Sequence, residues 1–334
     1  LVDVLKIGII SFAHMHALSY LNQLSKRNDV RVVGGWDEDR QRAASALVEY
    51  ELPTFGRLED LLATDIDAVI VCSENVRHAE HVVAAARAGK HVLCEKPLGT
   101  TSLDMQEMIT TCREHGVQLM TAFPCRYFTS VRETKAALDR GDIGAVIAIK
   151  GLNRGTMPGG WFVDRTKSGG GAVLDHTVHL LDLMRWFLND EPRTVYAEAG
   201  KLFHHSLSVE DAGIVHVTFE GGTTAVLDTS WSRGPGFPAW GDVTMEIIGT
   251  EGVISLDALA QKNDLYVHAS GHEEWSYWGD DADEGMLEAF IEAIRSGSAV
   301  PITGEDGKAA AEVALAAYES IQSGVPVEIG RSCE

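Results

Sequence analysis

Along the first third of the chain, short apolar runs alternate with stretches whose apolar residues recur every three or four positions. Lys6–Ile10, Val30–Trp36, Ala68–Cys72, His91–Cys94 and Gln118–Ala122 read as strands. Between them, Asp39–Glu51 and Arg77–Ala88 read as helices, the second stopping at Gly89, the residue type that most readily takes the left-handed turn after a helix. Strands separated by helices need crossover connections, so these pair in parallel. After about Phe123 the period changes to two. Val215–Glu220 and Thr223–Trp231 flank Gly221-Gly222, and Met245–Ile248 and Val253–Leu256 flank Gly249–Gly252, as antiparallel hairpins do. Helical segments near Met286–Ile294 and Lys308–Ile321 close the chain, and no repeat or low-complexity tail interrupts it.

Composition narrows the partners. The 334 residues carry 28 Lys plus Arg against 49 Asp plus Glu, a formal net charge of −21 at pH 7. A polyanion repels phosphate backbones and acidic lipid, so neither nucleic acid nor a membrane is expected as a partner. With 45% hydrophobic and 23% charged residues the chain is globular, and its length suits two domains at roughly 100–200 residues each. No run approaches the ~20 apolar residues of a membrane span, and Leu1–Lys6 lead into a strand without a leader pattern, so a cytoplasmic protein is expected. Cys72, Cys94, Cys112, Cys125 and Cys333 are odd in number and lack CxxC spacing, which points to reduced thiols.

The turn after the first strand, Ser11-Phe12-Ala13-His14-Met15-His16, stands where a dinucleotide-binding fold carries G-x-G-x-x-G. Its glycine positions would be Ser11, Ala13 and His16, so the motif alone leaves a plain strand-to-helix turn equally open. Without a gap, side chains at those three positions crowd a site built around bare backbone, each non-glycine residue at positive φ costing about 1 kcal/mol. Asp37 closes the second strand, where a carboxylate accepts hydrogen bonds from the ribose of NAD and repels the 2′-phosphate of NADP. Alone, it could equally be a turn or cap residue, and Arg40 nearby could face a phosphate.

The segments that follow carry a family likeness. Asp67-Ala-Val-Ile-Val-Cys-Ser73-Glu74-Asn75 with His78, and then Gly89-Lys-His-Val-Leu-Cys-Glu95-Lys96-Pro97, resemble the Gfo/Idh/MocA oxidoreductases, whose hallmark is Glu-Lys-Pro after a strand. The likeness continues through Phe123-Pro-Cys-Arg126-Tyr127, through Gly169-Gly-Gly-Ala-Val-Leu-Asp175-His-Thr-Val-His179 and through Glu210-Asp211, and so spans nearly the whole chain. It implies an N-terminal Rossmann domain over 1–122 and a C-terminal α+β domain over 123–334 with a large open, mainly antiparallel sheet. It also implies an NAD-dependent dehydrogenase acting on CH–OH groups, with NAD preferred to NADP. Ser11, Phe12, Ala13, His14, Met15, Asp37, Ser73, Glu74, Asn75, His78, Glu95 and Lys96 would surround the cofactor. A local gap would align His16 with a histidine found slightly later in the family loop.

By the same resemblance, Lys96, Asp175 and His179 form the catalytic group, and Arg126, Tyr127, Asn153, Trp161 and His176 belong to the substrate pocket. Asp175 and His179 have a rationale of their own: four residues apart on a helix they share one face, about 6 Å apart at Cβ. An imidazole near pKa 6.5 suits proton abstraction at neutral pH, and a lysine can polarise the reacting oxygen. A dipole-stabilised carboxylate beside a buried histidine is the purely structural alternative. His176 beside His179 raises the question of a metal, and none is expected. The expected substrate is a sugar, inositol or related polyol. An NAD-retaining glycoside-cleaving enzyme and a non-catalytic ligand sensor are the competing classes. The open sheet is expected to be covered by a second subunit, in a homodimer or homotetramer.

Overall fold

The computed structural model describes residues 4–267 and 272–330, so Leu1–Asp3, ahead of the expected first strand, and Cys333 lie outside the described residues. The described chain divides into two compact units.

The first unit runs through Phe123. Its elements are β1 (Leu5–Ile10), α1 (His16–Ser25), β2 (Val30–Trp36), α2 (Arg40–Leu47), α3 (Leu58–Leu62), β3 (Ala68–Val71), α4 (His78–Arg87), β4 (His91–Cys94), α5 (Ser102–Glu114) and β5 (Leu119–Thr121). The five strands pair in parallel in the order β2-β1-β3-β4-β5. Ile7, Ile9, Ile10, Val69, Ile70, Val92 and Leu93 are buried, as in a sheet covered on both faces. Helix starts follow from capping: Asp39 accepts from the amides of Gln41 and Arg42, and Thr101 from that of Asp104. Gly89 sits at φ +72° just past α4, in the conformation its sequence position anticipates.

The expected single cut between 122 and 123 is not what the fold does. The chain leaves the first unit after Phe123 but returns to it over Asp283–Lys308. Ser19 Oγ donates to Asp283, Arg295 Nη1 to Asp29, and Thr121 N to the Ile302 carbonyl, stitching the returning segment onto α1, the β1–β2 side and β5.

The second unit holds α6 (Thr129–Asp139), β6 (Val146–Thr156), α7 (Arg165–Ser168), α8 (Ala172–Leu188), β7 (Pro192–Gly200), β8 (Ala212–Phe219), β9 (Thr224–Arg233), β10 (Gly241–Gly249), β11 (Val253–Asp257), β12 (Lys262–Val267) and β13 (His272–Tyr277). Helices α9 (Ala282–Ser296) and α10 (Gly304–Ser323) and strand β14 (Val327–Glu328) end the described chain. The large sheet has the order β11-β10-β6-β9-β8-β7-β14, antiparallel throughout except for the β6–β9 pair. Helix α8 packs on one face, over β6, β8 and β9, where Gly151 leaves room for Leu180 and Met184. The β12–β13 hairpin is a separate two-stranded sheet.

Arg126, expected in the substrate pocket, is buried and paired with an acid of α8. Its Nε and Nη2 donate to the two oxygens of Asp182, at 2.8 and 2.6 Å, and the Asp182 side chain is fully buried. Asp182→Ala would take the carboxylate away from that buried guanidinium, so we expect about 3–5 kcal/mol of destabilisation, read from urea unfolding followed by tryptophan fluorescence. A loss below about 1 kcal/mol would contradict this role.

Candidate functional site

In the first unit, β2 and β3 lie on opposite sides of β1, so the strand order reverses beside β1. In open parallel sheets, ligands bind outside the carboxyl ends of the strands at such a point. The residues found there are Ser11–Met15 after β1, Asp37 after β2, Ser73–Asn75 after β3 and Glu95-Lys96 after β4.

The loop after β1 has five residues before α1 begins at His16. Of the three expected glycine positions only Ser11 takes a positive φ, +68°, so the anticipated crowding falls on one residue rather than three. That conformation costs a non-glycine residue on the order of 1 kcal/mol. Ser11 offsets it through its hydroxyl, which donates to Asp37 Oδ2 (3.1 Å) and accepts from the Ala13 amide (3.2 Å). The Phe12 amide donates to the same carboxylate at 2.7 Å, and the His14 amide to the Cys72 carbonyl. The loop is therefore held by side-chain acceptors where a glycine loop would rely on backbone alone.

Asp37 is 1% exposed. Burial would raise its pKa, but the Arg42 guanidinium and the Phe12 and Asp39 amides outweigh it and hold the carboxylate below its usual range. Arg42 donates to both Asp37 oxygens, at 2.8 Å each.

Glu95 is wholly buried and is held by side chains of the loop after β1 and of α1. Its Oε1 accepts from the Tyr20 hydroxyl (2.5 Å) and lies 3.0 Å from His16 Nδ1, its Oε2 accepts from the Lys96 amide (3.2 Å), and His14 Nε2 stands 3.9 Å away. Burial pushes the Glu95 carboxyl up, but the two imidazoles and the hydroxyl hold it far below the carboxylate range. His16 shows the converse: burial lowers it, and Glu95 more than restores it, to above 6.5. His14, His16 and Glu95 each offer a ligand atom within 4.8 Å of the others, the one described group able to hold a metal ion.

His78 is fully buried and sets Nδ1 3.0 Å from the Pro97 carbonyl and Nε2 3.2 Å from the Ser73 carbonyl, with its pKa lowered by burial. It ties the β3 loop to the turn carrying Lys96. Ser73 Oγ is bonded to His81 Nδ1 at 2.9 Å, and His81 is pushed down to about 3 by burial. Phe12, His14, Asn75 and Lys96 are buried, Ala13 and Glu74 are partly covered, and Met15 is 59% exposed. The residues present fit a dinucleotide: a ten-residue helix points its N-terminus over the loop at the switch point, with a carboxylate at the end of the next strand.

In the second unit the site residues ride on the first turns of α8. Gly171 and Val173 donate their amides to Glu210 Oε1, and the Tyr318 hydroxyl donates to the same oxygen at 2.7 Å. A Cβ on Gly171 would lie 2.0 Å from the Glu210 carbonyl, which is why the chain is bare there. Asp175 accepts from Trp231 Nε1 (3.1 Å) and lies 3.3 Å from His176 Nε2. His179 is buried, with Nδ1 3.9 Å from Cys125 Sγ. Asn153 is completely buried and donates its side-chain amide to the Asp242 carbonyl, which ties it to the sheet. Tyr127 is partly buried, which pushes its hydroxyl up to about 12, and Trp161 stacks on Phe162 at 3.9 Å. Sequence reasoning missed Tyr20, Arg42, Trp231 and Tyr318. Only Arg42, one turn into the helix after Asp37, left a readable signal.

The chain matches the oxidoreductase family with an NAD-binding Rossmann fold over residues 3–123, and the GFO/IDH/MocA C-terminal domain over residues 131–255. It belongs to the GFO/IDH/MocA family of oxidoreductases. It is 34% identical to 1,5-anhydro-D-fructose reductase of Ensifer adhaerens over 272 residues, covering 79% of this chain and 80% of that one. It is 28% identical to myo-inositol 2-dehydrogenase of Thermotoga maritima over 333 residues, 96% of each chain. The crystal structure of scyllo-inositol dehydrogenase from Lactobacillus casei with NAD(H) and scyllo-inositol bound superposes with a TM-score of 0.86 at 24% identity, covering 98% of this chain and 100% of that one.

The Glu95 pair makes stability depend on pH with a definite sign. The lowered Glu95 contributes above its ordinary 4.5 and is lost as pH falls through its folded value, and the raised His16 contributes below its ordinary 6.5 and is lost as pH rises through its folded value. We expect Glu95→Gln to lower the melting temperature most between about pH 4.5 and 6.5. In the same variant, His16 observed by NMR should titrate at lower pH than in the wild type, because the Glu95 charge that raises it is gone. A His16 titration unmoved by the substitution would refute the pairing.

Proposed function

We propose that the protein oxidises a CH–OH carbon of a sugar, inositol or related polyol, or reduces the corresponding ketone, with NAD as the partner. The observation that carries this is the convergence of the Ser11 loop, Asp37, Ser73–Asn75 and Lys96 at the carboxyl edge of one parallel sheet. The relatives named for inositol and anhydrofructose chemistry support the substrate class. Bound nicotinamide supplies the hydride acceptor or donor. The chain's own groups do the rest: the N-terminus of α1 would receive the phosphates, and Lys96 would hydrogen-bond the reacting oxygen and stabilise the charge that develops on it. His179 takes the hydroxyl proton as the carbonyl forms, and Asp175 supports the positive charge on the imidazole side. His176, held by Asp175, and Tyr127 and Trp161 shape the polyol pocket.

Purified protein should reduce NAD in the presence of at least one member of a panel of inositols, aldoses and alditols. Lys96→Met and His179→Ala should each lower kcat by about 10²–10⁴. Wild-type turnover in His179→Ala would sink the assignment.

We further propose that a second copy of the chain covers the free face of the large sheet, in a homodimer or homotetramer. Opposite α8, that face exposes Ile214, Val226 and Val253 among Lys150, His216 and Glu246. Exposed apolar strands of this kind need cover. Light scattering should return twice or four times the chain mass, and Ile214→Asp with Val226→Asp should return the chain mass. A monomeric wild type would contradict the proposal.

A further inference from the structure

Asp37 is the residue whose charge, on the sequence alone, disfavours NADP. In the fold that charge is already spoken for. Its Oδ2 accepts from Ser11 Oγ, the Phe12 amide and Arg42 Nε, and its Oδ1 from the Asp39 amide and Arg42 Nη2, all at 2.7–3.1 Å. A carboxylate offers about four lone-pair positions, so these five donors leave little for a ribose hydroxyl. What reaches solvent at the end of β2 is the guanidinium: the Arg42 side chain is 32% exposed against 0% for Asp37. The fork uses Nε and Nη2 on Asp37, and Nη1 stands 3.8 Å from Glu74 Oε1. Arg40, the residue the sequence suggested for a phosphate, donates to the Gly56 carbonyl instead.

We infer that Arg42 sets the choice between NAD and NADP and makes it permissive. The inference rests on the dinucleotide reading of this site. Paired with Arg42, Asp37 presents no net charge to repel a 2′-phosphate, and Nη1 supplies a charge-assisted donor to it. Glu74 opposes the phosphate and keeps the site from becoming selective for NADP. The same Arg42–Glu74 pair would offer donor and acceptor to the 2′-hydroxyl of NAD.

The test is a calorimetric titration of the full chain with NADH and with NADPH, read as the ratio of the two Kd values. Wild type should bind both, NADPH within about tenfold of NADH, and Arg42→Ala should raise the ratio by about tenfold or more, because it removes the donor and uncovers the Asp37 charge. Arg42→Lys keeps the charge but loses the fork and should fall between them, which retains the test should the alanine variant fold poorly. Arg40→Ala should leave the ratio where it is. Discrimination against NADPH beyond about a hundredfold in the wild type, or an unchanged ratio in both Arg42 variants, would overturn the inference while leaving the dinucleotide site standing. Binding of neither nucleotide by the wild type would overturn the dinucleotide reading and this inference with it.

Discussion

A carboxylate with no access to water, Glu95 at the end of β4, is the constraint around which the first unit is arranged. An unpaired charge there would cost several kcal/mol, more than the fold could lose without consequence. The donors that satisfy it come from separate pieces of chain: Tyr20 and His16 from α1, and the amide of Lys96 from its own turn. Meeting the demand of one buried charge therefore fixes the start of α1 against the end of β4. The loop after β1 and the lysine after β4 are placed by the same bonds. Binding geometry and folding geometry are here one requirement.

The second unit uses acids in the same way. Glu210 takes the amides at the start of α8 and the Tyr318 hydroxyl, Asp211 accepts from the Leu202 and Phe203 amides, and Asp182 pairs with Arg126. Asp175 is turned by Trp231, which ties the first turns of α8 to the sheet. Part of the acidic excess in the composition is therefore internal, spent on orienting backbone and side chains, and only the remainder charges the surface.

Much of the scaffold was legible in the pattern of residues. His91–Cys94 is legible at its true ends because a continuous apolar run bounded by turn residues marks a strand buried on both faces, whereas Val30–Trp36, an edge strand with Arg31 exposed, is legible from its β-branched residues. The returning segment Asp283–Lys308 was not, since helical periodicity shows that a helix is amphipathic and not which sheet it will cover. The β12–β13 hairpin escaped because Lys262-Asn263-Asp264 carries no alternation to reveal it. Site residues divided along a similar line. Motif spacing brings Lys96, Asp175 and His179 forward, but it does not reveal the internal partners that the fold gives His78, Glu95, Arg126 and Asn153. A polar side chain declares its chemistry in the sequence and conceals its partner, which for Arg126 lies in the middle of α8.

The central claim is that the carboxyl edge organised by Glu95 is where a dinucleotide rests. Hydrogen–deuterium exchange with and without saturating NADH maps this directly. The account requires slowed exchange in peptides covering Ser11–Ala17, 72–76 and 95–98. Protection confined to other segments, or no protection anywhere, would contradict it.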